Sequence, residues 1–259
     1  MTSPFYLLRL GPVYRLCKKY IAWHDHENND DMFTNGEYEI LRSQILPASI
    51  VFDVGANRGD WAQAVLRLYP MVELHCFGPC AATFQVLAIQ PELTKARLNP
   101  CGLGSNEGTS RLYALNDDSG NNSLYLRKGI PGMSADGPRS IETVQLTTLD
   151  AHCKLMGLAR IDYLKLDVEG HELEVLRGGL GLLQAGRIGR IQFEYGGTNI
   201  DSRVLLKDFF ELLKQAGFEL YKIAPGQLSP SAPICSAWRI SNTRTGWPCT
   251  GPRSEDARF

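Results

Sequence analysis

Apolar residues recur along this chain with a period that switches between two and about 3.6, and the switching predicts strands followed by helices. Ile50 to Val54 reads IVFDV, a short buried strand, and the glycine turn GANRG follows it. Asp60 to Tyr69 then places Trp61, Val65, Leu66 and Tyr69 at helical spacing, and Pro70 ends the run. A second strand is predicted over Val72 to Phe77, followed by a helix over Ala81 to Gln90 that Pro91 breaks. A third strand is predicted over Ala96 to Gly104. Glu142 to Asp150 reads as extended, with Asp150 at the start of the helix AHCKLMG. A strand then runs through Asp162 to Val168, and one helix over His171 to Gly186 carries Leu173, Leu176, Leu180 and Leu183 on one stripe. Another strand ends at Glu194 and Tyr195, and a helix near Val204 to Gly217 stacks Leu205, Phe209, Leu212 and Ala216. FELYKIA and AWRIS read as the last strands, with PGQLSPSAP as the loop between them. Strand and helix alternating at this spacing imply a mostly parallel sheet with helices on both faces.

Three segments depart from that rhythm. Residues 1–46 read as a helical N-terminal extension, amphipathic and basic up to Lys19. This suits a helix lying on the domain or a partner, and membrane-surface contact is a further reading. Residues 105–140, rich in Gly, Asn, Asp and Ser, read as a loop or hairpin insertion near the mouth of an active site. Residues 242–259 read as a polar tail, which leaves 47–241 as the main domain.

Composition narrows the classes. A chain of 259 residues with 44% hydrophobic and 21% charged residues suits one α/β domain with extensions. The net charge of −1 argues against a nucleic-acid partner, because phosphate recognition needs excess Lys and Arg on one face. No stretch approaches the roughly 20 apolar residues of a membrane span. The seven cysteines are irregularly spaced and form no CxxC pair, as expected of reduced thiols in the cytoplasm.

Two motifs carry the chemistry. In Asp53-Val-Gly55-Ala-Asn57-Arg-Gly59, Gly55 permits a tight turn and close backbone approach, and Asn57 tolerates a left-handed conformation. Gly59 lets the following helix start near a ligand. The spacing is not the G-x-G-x-x-G of dinucleotide sites. Asp53, just before the glycines, suits an ammonium group better than a pyrophosphate. That favours S-adenosylmethionine over a nicotinamide cofactor. Nucleotide-type cofactors usually meet a carboxylate after the second strand to hold the ribose, but here the position reads Phe77-Gly78-Pro79.

The second motif is Lys165-Leu-Asp167-Val-Glu169-Gly170-His171-Glu172. If the strand runs through Glu169, then Lys165, Asp167 and Glu169 share one face. Asp167, Glu169 and His171 suit a general base that removes a hydroxyl proton during methyl transfer. Asp167 and Glu169 also suit a divalent cation such as magnesium that acidifies the hydroxyl. For Glu172 the preferred role is to cap a helix. Glu194, at the end of its strand, falls beside the same site.

The pieces FDVGANRGDW, Phe77-x-Pro79, Thr147-Thr-Leu-Asp150, IDYLKLDVEGHELEVLRG from Ile161 to Gly178, and the later IQFEY resemble the FkbM family of methyltransferases in order and spacing, over about residues 50–195. The resemblance implies a Rossmann-like class I methyltransferase fold with a mostly parallel seven-stranded sheet. It implies S-adenosylmethionine as cofactor and O-methylation of small molecules such as sugars, glycolipids or secondary metabolites. Carried onto this chain, it puts Asp53, Gly55, Asn57 and Gly59 at the cofactor, with Phe77 and Gly78 beside them. It puts Asn99 and Cys101 near the adenine, and Asp167 and Glu169 near the transferred methyl. The family commonly has Phe-Glu-Pro where this chain has Phe77-Gly78-Pro79. That difference keeps a second reading open, a methyltransferase-like binding or scaffold protein without normal catalysis.

Overall fold

A computed structural model of the chain describes residues 11–24, 29, 31–114, 122–126, 140–225, 227–230 and 238–244. The expectations for residues 1–10, for most of 115–139 and for the tail beyond Arg244 lie outside the described residues. Two helices come first, α1 (Gly11–His24) and α2 (Glu37–Gln44). Next come β1 (Ile50–Val54), α3 (Asp60–Leu68), β2 (Glu73–Phe77), α4 (Ala81–Ala88), a short 3₁₀ turn at Pro91–Leu93, and β3 (Arg97–Asn99). The chain then forms β4 (Gly102–Leu103), β5 (Gly108–Ala114), β6 (Ser140–Thr147), α5 (Leu149–Met156) and β7 (Ile161–Leu166). It closes with α6 (Glu172–Arg177), α7 (Leu180–Gln184), β8 (Ile188–Tyr195), α8 (Thr198–Ser202), α9 (Leu206–Gln215), β9 (Phe218–Ala224), β10 (Gln227–Pro230) and β11 (Trp238–Arg244).

The main sheet has the order β10-β9-β11-β8-β7-β1-β2-β3, and its β3-β2-β1-β7-β8 portion is parallel. This is the α/β architecture expected. The chain builds outward from β1 to β3, then returns on the other side of β1 with β7. Strand order therefore reverses between β1 and β7, and open α/β sheets bind ligands at such a point, beyond the carboxyl ends of the strands. β11 runs antiparallel to both β8 and β9. A second, three-stranded sheet, β4-β6-β5, stands beside the main one.

Side-chain alternation divides the core between the two faces of the sheet. Phe52, Val54, Leu164, Leu166, Ile191 and Phe193 face one layer, where Phe209 and Leu213 of α9 cover them. Val51, Leu74, Cys76 and Tyr163 face the other, under Trp61 and Val65 of α3. Ile40 and Leu41 of α2 are buried in this second layer, so the core draws on residues before β1. Val13, Tyr14, Leu16, Tyr20 and Ile21 of α1 are exposed.

Several sequence expectations need correction. Among the described residues the main sheet has eight strands rather than seven, because β10 pairs antiparallel with β9 where composition suggested a loop. The strand expected over Ala96 to Gly104 is two strands in different sheets, with Pro100 between them. Pro100 has no N–H to give a ladder. The single helix expected over His171 to Gly186 breaks at Gly178 and Gly179. A Cβ on Gly178 would lie 2.0 Å from the Gly104 carbonyl oxygen, so close packing selects glycine there at the expense of helix continuity. Leu180 is consequently 39% exposed, while Leu182 and Leu183 are buried. In α9 the buried stripe is Leu206, Phe209 and Leu213, and Leu205 stands exposed at the helix start. Asp150 does lie in the first turn of α5, but its carboxylate caps α7, accepting from Gly181 N at 2.8 Å and Leu182 N at 2.9 Å. Thr148 caps α5 instead. β11 runs on through Asn242 to Arg244, where the sequence marked the beginning of a tail.

The core also holds a histidine pair. His75 Nδ1 lies 3.1 Å from His152 Nε2, and His75 Nε2 lies 3.3 Å from the Glu73 carboxylate. Glu73 accepts, so His75 carries its hydrogen on Nε2, and His152 donates to the bare Nδ1. Burial holds both rings below the usual histidine range, His152 at about 4 with the neighbouring His75 adding to the effect. Between about pH 4 and 6.5 the unfolded chain binds a proton at His152 that the folded chain refuses, so stability falls as pH falls through this window. The His152→Gln variant, which keeps a donor, is expected to flatten the loss of urea-unfolding free energy from pH 6.5 to 4.5. The reduction should approach ~1.4 kcal/mol per pH unit. Identical slopes in variant and wild type would refute the assignment.

Candidate active site

The glycine loop and the acidic turn are pressed together at the switch point. After β1, the N–H groups of Gly55 and Ala56 both donate to the Phe77 carbonyl, at 3.1 and 2.9 Å, and bend the chain across the end of β2. Gly55 has φ 90°, and a Cβ there would lie 1.8 Å from the Asp167 carbonyl oxygen. Only glycine permits that contact. Asn57 occupies the left-handed region at φ 48°, as expected. Gly59, at φ 94°, begins α3, but a Cβ there would strike Leu93 and Leu87. Its glycine therefore serves the packing of α3 on the Pro91–Leu93 turn, and it borders neither of the cavities described below.

β7 stops at Leu166, so the strand expected to run through Glu169 ends earlier. Asp167 N still donates to Val54 O at 2.9 Å. Glu169 and Gly170 then take φ 53° and 98° and turn the chain into α6. Glu172, almost fully buried, fastens this turn: one carboxylate oxygen accepts from Val168 N and Gly170 N, both at 3.1 Å. Asn199 Nδ2 donates to the other at 3.3 Å, and Gly196 N donates to Asn199 Oδ1, tying the end of β8 to the same turn. Burial pushes the Glu172 carboxyl up to about 7, against the pull of its backbone donors. Glu172 lies in the first turn of α6, as read from sequence, but its carboxylate holds the turn before the helix and does not cap α6 itself.

Asp53 and Lys165 face each other in register on β1 and β7. Lys165 Nζ lies 3.2 Å from Asp53 Oδ1 and 3.3 Å from Asp167 Oδ2, and 5.5 Å from the centre of the Trp61 ring. Burial disfavours the ammonium, but Asp53 and Asp167 outweigh it and hold Lys165 above the usual lysine range. Asp53 is wholly buried and borders neither cavity. Strand register turns one oxygen of this carboxylate toward Lys165 and leaves the other, Oδ2, buried without a hydrogen-bond partner among the described residues. A cation held by Asp167 and Glu169 does not fit this donor set. Lys165 already brings positive charge to Asp167, and among the described residues no three His, Cys, Asp or Glu side chains converge.

Two cavities open from this junction. A narrow, mostly apolar crevice of about 80 Å³ is bounded by Val54, Phe77, Gly78, Pro79, Leu103 and Leu112, with His171 and the segment at Asn122 and Leu124 across from them. A wider, polar cleft of about 790 Å³ is bounded by Asp31, Met32, Glu37, Arg58, Trp61, Lys165 and Glu194, among others. That size is ordinary for a small-molecule site. Gly55, Asn57, Asp167 and Glu169 border both. Asn57 Oδ1, Trp61 Nε1 and His171 Nε2 are buried without a hydrogen-bond partner among the described residues. Buried polar groups are rarely left so, except where a ligand or water completes them.

Phe77, Gly78, Asn57, Gly55, Asp167, Glu169, His171 and Glu194 thus meet around one junction. Asn99 and Cys101 do not reach it. Asn99 turns its amide back onto Cys76 O and Arg97 O, and Cys101 packs against the core; Gly102 and Leu103 take their place on the wall. Sequence reading missed Trp61, Arg58 and the Asp31–Glu37 stretch as cleft residues. Trp61 looks like any apolar position of an amphipathic helix, and nothing local brings residues before β1 to the end of the sheet.

The sequence profile described as Methyltransferase FkbM domain matches residues 53–220. The chain belongs to the FkbM methyltransferase family. Among curated relatives of this FkbM-family chain, methyltransferase sdnD of Sordaria araneosa is 31% identical over 174 residues, covering 57% of this chain and 66% of its own length. The 2-O-methyltransferase NoeI of Sinorhizobium fredii is 28% identical over 186 residues, covering 67% and 74%. The 31-O-demethyl-FK506 methyltransferase FkbM of Streptomyces tacrolimicus is 26% identical over 172 residues, covering 57% and 66%. The chain thus spans just under two thirds of sdnD and of FkbM. The family match covers both the glycine loop and the acidic turn.

Replacing Lys165 by Met in this FkbM-family chain strands the buried Asp53 carboxylate. Breaking one side of a buried pair costs about 3–5 kcal/mol, whereas neutralising both sides costs far less. The Lys165→Met variant is therefore expected to unfold at much lower urea, and Asp53→Asn with Lys165→Met to recover most of the loss. A double variant no more stable than the single one would refute the pairing.

Proposed function

We propose that the protein transfers a methyl group from S-adenosylmethionine to a hydroxyl oxygen of a small polyhydroxylated acceptor: a sugar, a glycolipid headgroup or a secondary metabolite. The observation that carries this reading is the common rim. A mostly apolar crevice, which we assign to the nucleoside of the donor, and a polar cleft, which we assign to the hydroxylated acceptor, share Gly55, Asn57, Asp167 and Glu169. Two reactants lodged one in each would meet at those residues, and holding them there removes much of the entropic barrier to reaction. The names of two relatives, a 2-O-methyltransferase and a 31-O-demethyl-FK506 methyltransferase, support oxygen as the methylated atom.

The residues fit the donor. Asn57 and His171, whose Oδ1 and Nε2 are buried without a hydrogen-bond partner among the described residues, border the crevice, and the acidic residues Asp167 and Glu169 belong to its rim, where positive charge is favoured. When bound, S-adenosylmethionine supplies an electrophilic methyl group on a cationic sulfur. The chain's own task is to hold the hydroxyl in line and take its proton. Lys165 engages Asp167 at 3.3 Å and fixes its direction, so we assign orientation of the hydroxyl to Asp167 and acceptance of its proton to Glu169. Glu194, farther along the cleft, is assigned to a neighbouring acceptor hydroxyl. The free thiols Cys76, Cys80 and Cys153 support placing this activity in a reducing cytoplasm.

Gly78 supports a second reading, a binding protein without turnover, because it brings no carboxylate for a ribose. Calorimetry separates the two. S-adenosylhomocysteine is expected to bind the wild type, and silence at millimolar ligand would sink the enzyme reading. A large gain in affinity on Gly78→Glu would favour the binding protein. With radiolabelled donor and a panel of neutral glycosides, Glu169→Gln is expected to lower turnover by about 10²–10⁴-fold, the usual worth of a general base. Its affinity for S-adenosylhomocysteine should stay unchanged. Wild-type rates in both Glu169→Gln and Asp167→Asn would overturn the catalytic assignment.

A further inference from the structure

Gly78 stands on the crevice wall where nucleoside-binding α/β sheets usually present an acidic side chain. Packing does not demand the glycine: a Cβ there would meet only Phe84, at an ordinary 3.7 Å. The crevice also contains His171, which sequence reading grouped with the catalytic carboxylates. Unlike Asp167 and Glu169, His171 borders only the crevice and does not border the polar cleft.

Its ring is oriented from behind. His171 Nδ1 lies 2.9 Å from the Tyr125 hydroxyl. Burial pushes the Tyr125 phenol up to about 12, so it keeps its proton, and it pushes the His171 ring down, so the ring is neutral. A phenol that keeps its proton can donate to Nδ1; in that tautomer the imidazole hydrogen sits on Nε2, which is buried beside Gly104 without a hydrogen-bond partner among the described residues. The segment bearing Tyr125 is itself tied down. Ser123 exchanges both backbone hydrogen bonds with Tyr113, at 2.8 and 3.2 Å, and its hydroxyl donates to the Glu169 carbonyl at 2.7 Å. The same segment brings Asn122 and Leu124 to the crevice.

We propose that His171, held by Tyr125, is a nucleoside-binding residue: its Nε2–H donates to a ribose hydroxyl of the methyl donor and replaces the contact that Gly78 cannot make. This rests on the reading that the donor's nucleoside occupies the crevice. It removes His171 from the proton-transfer machinery, because in this tautomer Nε2 carries hydrogen and cannot accept a proton. It also makes the Ser123–Tyr125 segment part of the donor site, because that segment sets the tautomer.

The test is a cycle between protein and ligand, read by calorimetry with S-adenosylhomocysteine and its 2′,3′-dideoxy counterpart. His171→Ala is expected to weaken S-adenosylhomocysteine about tenfold, the equivalent of one hydrogen bond. The same variant should bind the dideoxy compound as the wild type does. His171→Gln, which retains an N–H near the place of Nε2, should recover part of the affinity, and thermal denaturation checks that both variants fold. Equal losses on the two ligands, or no loss on either, would overturn the proposal. A wild type that binds neither ligand would overturn the donor reading beneath it as well, which distinguishes the two failures.

Discussion

A lysine buried between two carboxylates holds this site together. Lys165 sits opposite Asp53 on the neighbouring strand and reaches forward to Asp167, at the point where strand order reverses. Asp53 is fully buried, and a charge in that place persists only with a counter-charge beside it. The pairing therefore sets how the ends of β1 and β7 lie against each other. Gly55 then closes the junction by resting its backbone on the Asp167 carbonyl. The glycine loop and the acidic turn, far apart in sequence, behave as one unit.

The unit has two sides of different character. Toward β2 and β4 the walls are apolar, from Phe77 to Leu103. Toward α2 and α3 the wall carries carboxylates and cations with Trp61 among them, and it suits hydroxyl groups that need both donors and acceptors. Glu172 and Asn199 maintain the partition without touching either cavity, by satisfying the N–H groups of the turn that bears Glu169. Fixed dipoles and charges of this kind need little reorganisation when a reaction occurs, which is the main way a protein lowers a barrier.

Much of this was legible in the sequence, for physical reasons that differ from place to place. The order of strand, glycine loop and helix around Gly55 could be read because side-chain period and left-handed φ are local properties. The acidic turn could be read as a site because three carboxylates within six residues are costly unless something uses or satisfies them; Glu172 is held by the backbone of its own turn and Asp167 by Lys165. The break at Gly178 was illegible because it answers to the carbonyl of Gly104, in another sheet. The pairing of Asp53 with Lys165 is illegible because the identity of a side chain does not say whether its partner will be a ligand or the next strand. Trp61 was passed over because an indole on an amphipathic stripe looks the same whether its N–H meets solvent, protein or substrate.

The sequence by itself determined the parallel α/β architecture, the loop at Gly55 and the candidate carboxylates Asp167 and Glu169, since each depends on patterns within a few residues of the chain. Only the tertiary structure decided which of those groups meet. It paired Asp53 with Lys165, set His171 on the crevice wall and not on the cleft, left Asn99 and Cys101 off the wall, and brought Asp31 and Glu37 to the cleft. Those outcomes depend on strand register, on the close approach that glycine permits and on the cost of leaving a buried charge alone. All three are interactions between segments distant in sequence, and no local pattern records them.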